Sequence, residues 1–322
     1  MRALVVSNML PDAAHPERGR FVRDQVAALR LLDGLEVECY EFAPGPTALA
    51  RAAFDLRRRF AGVARVAHRR QPARLDVVHA HFGLTAWPAL AVPARVRALT
   101  VHGTDIHHPR TRAATAAVLP LIDVLGAASA SLAQELPGRA ARRRAQALPC
   151  GVDLERFHPL ARPHARAELR LDPDRPYLLF PADPARAEKR HDRALALAHA
   201  AGVELLTLGG VDPERVPLWV NAANAVLVPS EREGFGLAVL EALACDVPVL
   251  ATPVGIHRDA LEHVPGTLCA PFDLTSWLAG LQAHLREADP RVDGRASASR
   301  FSVLEMAARV ASAWRDALAR SG

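Results

Sequence analysis

The 322-residue sequence predicts an α/β protein of two doubly wound domains, and three features carry that expectation. Short apolar runs alternate with helical periodicity from the N-terminus to about residue 127. The alternation stops in a turn-rich segment, 149–184, and then restarts. Within the second block, 225–255 (AVLVPSEREGFGLAVLEALACDVPVLATPVG) reads as strand, turn, apolar helix and strand, a complete βαβ unit.

The elements follow in order. Strands are expected at 3–7, 37–42, 76–80, 98–102 and 123–127 in the first block. Helical patterns lie between them; over 21–32, for example, Val22, Val26, Leu29 and Leu32 share one face. The second block offers strands at 177–180, 203–208, 225–228 and 248–251, with a helix over 237–245. Strand, crossover and parallel strand, repeated in two blocks, imply parallel sheets with ligands at the carboxyl ends of the strands, in the cleft between domains.

Composition narrows the function. Hydrophobic residues make up 50% and charged ones 23%, as in an ordinary globular protein. No apolar run would span a membrane and residues 3–6 are too short for a signal-peptide core, so a cytoplasmic protein is expected. Cys39, Cys150, Cys245 and Cys269 are scattered with no CxxC pair, which suggests neither zinc nor a disulfide framework. There is no GxGxxG after the first strand and no GxxxxGK[ST], which argues against a dinucleotide dehydrogenase or a P-loop enzyme. The net charge of +5 comes almost wholly from arginine, and Lys189 is the only lysine.

Residues 51–74 form a basic amphipathic helix candidate. Leu56, Phe60, Val63 and Ala67 mark one face, with Arg57, Arg58, Arg65 and Arg69 off it. Such a helix suits an anionic leaflet, which would place the protein peripherally at the inner membrane face; a solvated surface is the plainer alternative. Aromatics are only 5% and none interleave with these arginines, so nucleic acid is not an expected partner.

The chemistry concentrates on the turn Glu233-Gly234-Phe235-Gly236 and the helix starting at Leu237. Two glycines let main-chain N–H groups approach a ligand, and the helix N-terminus favours an anion. Glu241 follows on the helix, where a carboxylate among apolar neighbours needs partners. Phosphate and polyol together would satisfy both features. Asp172-Pro-Asp174 is a DxD string, but its Asp-Pro setting reads as turn chemistry, and no catalytic metal is expected.

This pattern resembles glycosyltransferase family 4, whose mark is two glutamates separated by seven residues, as Glu233 and Glu241 are. The resemblance covers nearly the whole chain. Gly19, in Arg18-Gly19-Arg20, stands where the family has a phosphate-facing glycine loop, usually with two glycines. His102-Gly103-Thr104-Asp105 is similar to the HGxD segment, implying that His102 contacts the donor sugar near the reacting carbon and that Asp105 lines the acceptor side. His79 and His81 match a family pattern and are expected to pack and hydrogen-bond. Residues 149–153, with Phe157 and Pro159, resemble the PNGVDxxxFxP hinge, with Cys150 in place of asparagine. Lys189 and Arg186 correspond to the cations that grip the donor diphosphate. Fixed cations there stabilise charge as the leaving group departs.

The resemblance implies a GT-B fold with domains at 1–153 and 154–300 and a closing helix, 301–322, that returns to the first. The segment between Gly210 and Asn221 is shorter than usual. The implied activity is retaining transfer of a sugar from a nucleotide diphosphate sugar to a hydroxyl acceptor, in cell-surface polysaccharide or glycoconjugate synthesis. The donor would be a UDP-, GDP- or ADP-sugar and no cofactor is implied. Glu233, Gly234, Phe235, Gly236 and Leu237 would hold the donor, Glu241 its ribose, and Lys189 and Arg186 its diphosphate, with His102, Glu233 and Lys189 at the chemistry. Two alternatives share the fold: a nucleotide-sugar epimerase and a non-catalytic sugar-nucleotide-binding protein.

Overall fold

The computed structural model describes residues 1–13, 15–65 and 75–321. They form two compact units, one of Met1–Gly151 with Val303–Gly322 and the other of Val152–Ser302.

The first unit holds a parallel sheet of β1 (Arg2–Ser7), β2 (Glu36–Glu41), β3 (Leu75–His81), β4 (Ala94–Val101), β5 (Val124–Ala127) and β6 (Gln146–Ala147). Their order is β2-β1-β3-β4-β5-β6. β4 begins four residues before the expected strand because Arg95 and Arg97 interrupt its apolar run, although buried Ala94 and Val96 alternate with them correctly. β6 is short and exposed, so it leaves no apolar signal. The helix Arg20–Arg30 buries Val22, Val26 and Leu29 against Val5, Val77 and Val96. The final helix, Val303–Arg320, adds Met306, Ala307, Val310, Ala311, Trp314 and Ala317 to the same core.

The second unit holds β7 (Tyr177–Phe180), β8 (Glu204–Thr207), β9 (Ala225–Val228), β10 (Val249–Ala251) and β11 (Leu268–Cys269), ordered β11-β10-β9-β7-β8 and all parallel. Leu178, Phe180, Leu227, Leu250, Trp277 and Leu281 centre its core. The abbreviated stretch before β9 contains a 3₁₀ turn, Pro213–Arg215, and a short helix, Val216–Ala222. Arginine forks close this unit. Arg162 donates to the carbonyls of Ala223, Ala288 and Pro290, and Arg295 to those of Leu154, Phe157 and Ala244. The Val152 N–H donates to the Phe301 carbonyl at 2.9 Å, joining the two ends of the unit.

In each sheet the strand order reverses beside the first strand, between β1 and β3 and between β7 and β9. Loops leaving the carboxyl ends of such a strand pair diverge and leave a crevice.

The basic segment is a helix from Pro46 to Arg65. Ala52 and Leu56 are buried, Arg51, Arg57 and Arg58 are exposed, and Phe54 is 67% exposed. Arg59 is drawn into an ion pair with Glu38. The continuation over 66–74, with Ala67 and Arg69, lies outside the described residues, and so do the side chains of Val63 and Arg65. No helix among the described residues is long and apolar enough to cross a membrane.

Candidate functional site

The β7/β9 reversal brings two separated residues together. Lys189 closes a 3₁₀ turn (Ala187–Lys189) after β7, and Glu233 lies on the turn after β9. The Lys189 Nζ donates to both Glu233 carboxylate oxygens at 2.7 Å. Ser230, two residues beyond β9, donates its hydroxyl to Oε1 at 2.8 Å. Only 16% of the lysine side chain and 8% of the glutamate side chain are exposed. Burial alone would raise the Glu233 carboxyl, but the Lys189 cation and the hydrogen bonds from Lys189 and Ser230 outweigh it and hold it below its usual range. Lys189 is thus half of a largely buried ion pair.

The glycine turn is fixed from behind. Gly236 has φ +111° and precedes the helix Leu237–Ala244. A Cβ on it would lie 2.4 Å from His257 Nε2. His257 is fully buried and donates Nδ1–H to the Thr252 carbonyl at 2.8 Å. Burial pushes its pKa down, so the ring is neutral and Nε2 is bare, with no hydrogen-bond partner among the described residues. Gly255 closes the other side, where a Cβ would lie 2.1 Å from the Phe235 carbonyl. The Phe235 ring is buried, with Phe301 6.3 Å away, so only its main chain is offered to a ligand.

Other expected donor residues are placed differently. Arg186 is 55% exposed and its guanidinium is bound to Glu188. It stands apart from the Lys189–Glu233 pair because a neighbouring carboxylate already holds it. Leu237 and Glu241 are half-buried on the first turns of their helix. Asp172 accepts the Asp174 N–H, and the DxD string is a turn. Among the described residues, no group of three His, Cys, Asp or Glu side chains is arranged to hold a metal.

In the first unit, Gly19 caps the helix Arg20–Arg30 at φ +71°, and a Cβ there would meet the Met9 carbonyl at 2.4 Å. His102 follows β4 and packs against the rings of Phe21 and Phe82, 4.8 and 4.7 Å away, which also touch each other. Phe82 has φ +74°, a strained conformation for a side-chain-bearing residue. His102 Nε2 is 2.9 Å from His81 Nδ1, and His81 Nε2 is 2.7 Å from Gln25 Oε1. His79 stands outside this chain, with Nε2 2.8 Å from Thr100 Oγ1. Burial drives all three histidines down, His81 to about 3, so each is neutral at physiological pH.

Asp105 is only 3% exposed, and its carboxylate accepts the N–H groups of Gly83, His102 and Gly103. Burial raises its pKa in spite of these bonds. Its oxygens are committed to main chain, so it shapes the His102 loop. Sequence reading missed Ser230, Thr252, His257 and Gln25. Only Gln25 left a trace, as a polar residue on the apolar face of its helix.

Comparison with known proteins agrees with this geometry. Residues 16–156 match the family described as Glycosyltransferase Family 4, and 183–299 match glycosyl transferases group 1. D-inositol 3-phosphate glycosyltransferase of Xylanimonas cellulosilytica is 31% identical, with 81% of this chain and 76% of that protein covered. Its counterpart from Thermobispora bispora is 30% identical, with 80% and 74% covered. Among solved structures, Anabaena Alr3699/HepE in complex with UDP-glucose has a TM-score of 0.69 at 15% identity, covering 98% of this chain and all of that one. Sucrose-phosphate synthase from Thermosynechococcus elongatus has a TM-score of 0.67 at 19% identity, covering 99% of this chain and 100% of that one. The two parallel sheets are those of the GT-B fold. This chain belongs to glycosyltransferase family 4, and it is a glycosyltransferase.

Proposed function

We propose that the enzyme moves a sugar from a nucleoside diphosphate sugar to a hydroxyl acceptor with retention of configuration. The observation that carries this is the Lys189–Glu233 pair, poised at the β7/β9 reversal beside the main chain of Gly234 and Gly236. A departing diphosphate gains negative charge as the glycosidic bond breaks, so a fixed ammonium stabilises the transition state more than the ground state. Glu233 keeps its charge in this setting and accepts hydrogen bonds from sugar hydroxyls. Main-chain groups of Gly234, Phe235, Gly236 and Leu237 complete the donor contact, and Glu241 takes the ribose. Arg186 joins the diphosphate only by leaving Glu188. His102 serves the donor sugar near its reacting carbon, and Gly19 lets main chain approach a phosphate.

The UDP-glucose complex of the similar Anabaena protein makes a UDP-sugar the first donor to try. The activity for which the relatives are named makes a phosphorylated polyol the first acceptor to try, ahead of a lipid-linked glycan. For location, exposed Arg51, Arg57, Arg58 and Phe54 support peripheral contact of the helix Pro46–Arg65 with an anionic membrane.

Mass spectrometry of the protein incubated with UDP-, GDP- and ADP-sugars, with and without acceptors, tests the proposal. Acceptor-dependent release of the nucleoside diphosphate with a new glycoside is expected. Diphosphate release accompanied by a rearranged sugar and no glycoside would favour an epimerase. Absence of both turnover and ligand-induced thermal shift with every donor would overturn the reading.

A further inference from the structure

Two buried side chains of the first unit, Gln25 and His81, form a directional hydrogen-bond chain ending at half-buried His102. Gln25 is 4% exposed and presents Oε1, which can only accept, to His81 Nε2 at 2.7 Å. His81 therefore carries its proton on Nε2. Because the ring is neutral, its Nδ1 is a bare acceptor. That nitrogen faces His102 Nε2 at 2.9 Å, so His102 must donate there and carry its own proton on Nε2. The remaining nitrogen, His102 Nδ1, is left as a lone pair. Its recorded partner is the Cys150 sulfur at 4.0 Å, a weak contact to a thiol that burial keeps protonated by pushing its pKa up to about 12.

We propose that Gln25 and His81 are positioning residues that lock His102 in the Nε2–H tautomer, so that its Nδ1 accepts a hydrogen bond from a substrate hydroxyl. This rests on the reading that His102 serves the sugar. It goes further in giving the atom, its direction of hydrogen bonding and the residue, two steps away, that sets it. No proton leaves the chain in the resting enzyme, and nothing in it requires a charged imidazole. The Phe21 and Phe82 rings pack against His102, while the hydrogen bond from Nε2 sets which edge faces His81. His79 cannot substitute for Gln25, since its Nε2 is engaged with Thr100.

Long-range ¹H–¹⁵N NMR on the histidines of the full chain, with His102 assigned from the signal lost in His102→Gln, reads the tautomer without substrate. His102 protonated at Nε2 and bare at Nδ1 is the expected result; the reverse tautomer in the unaltered protein overturns the proposal. Gln25→Leu should mix the His81 and His102 tautomers and lower kcat about tenfold, the scale of one net hydrogen bond, with little change in donor KM. Gln25→Glu, read at alkaline pH where His81 stays neutral, should restore both the tautomer and kcat. Turnover in Gln25→Leu equal to that of the unaltered protein, despite a lost tautomer, also overturns it. The NMR result is independent of the transferase reading, which fails separately if the unaltered protein turns over no donor.

Discussion

Replacing Lys189 by alanine leaves the Glu233 carboxylate largely buried with one hydroxyl for company. At an effective dielectric of about 20, unit charges 2.7 Å apart attract by roughly 6 kcal/mol, and desolvation of both ions offsets much of that. Removing one partner of such a pair costs about 3 kcal/mol, because the other is left buried and unpaired. A melting temperature about 6–12 °C lower at neutral pH is expected. In the unaltered protein the Glu233 pKa lies below its unfolded value, so its stabilisation is present at neutral pH and lost as pH falls through the folded pKa. In the variant, burial is no longer outweighed and the folded pKa rises above the unfolded one. The variant's penalty is then full well above that raised pKa and fades as pH falls through it. His257 changes in the same sense, since Lys189 helps hold its pKa down. Thermal melts of both proteins from pH 8 to pH 5 should therefore converge on acidification. Lys189→Met combined with Glu233→Gln should destabilise by about 2 kcal/mol less than the two single changes added together. A penalty that does not change with pH, together with additive single changes, would refute the buried-pair reasoning.

Three further outcomes are expected. Glu233→Gln should lower turnover about 10²-fold while sparing nucleotide binding, whereas Glu241→Ala should chiefly weaken binding of the free nucleoside diphosphate in calorimetry; the opposite pattern would reverse their roles. Gly236→Ala, with its methyl driven towards His257 at a positive φ, should destabilise by about 2 kcal/mol or more in urea unfolding. Arg57→Gln with Arg58→Gln should abolish low-salt binding to anionic vesicles while leaving donor turnover intact, measured by co-sedimentation; Arg59 is left in place because Glu38 already holds it.

Legibility from sequence followed the physics of each signal. The nine longer strands declared themselves through apolar runs, and the reversal of strand order near Lys189 and Glu233 is the switch point that a doubly wound sheet contains. β6 and β11, two residues each, are too short to carry a pattern. The lone lysine and the EGFG turn were conspicuous because each broke a local trend. That Lys189 pairs with Glu233 was not legible, since 44 residues separate them and only the β7/β9 adjacency joins them. The main-chain bonds of Asp105 were not legible either, because a short acidic residue near a glycine looks the same whether it faces a ligand or caps its own loop. His257 and Ser230 carried no signal; a lone histidine or serine acquires meaning only from what surrounds it.

The split of the first unit into two stretches of chain has a consequence for biosynthesis. Its core includes Val5, Val26 and Val77, made before the second unit, but also Val310, Trp314 and Ala317, made after it. The ribosome therefore releases a first unit whose sheet lacks one covering helix until the whole of Val152–Ser302 has been translated. The second unit must wait in its turn for Arg295 and Phe301 before Leu154, Phe157 and Val152 find their partners. Domains generally fold as they emerge, N-terminal first. Here the order inverts: the second unit can close while the first still exposes apolar sheet, and the stretch made before the second unit is completed only after it.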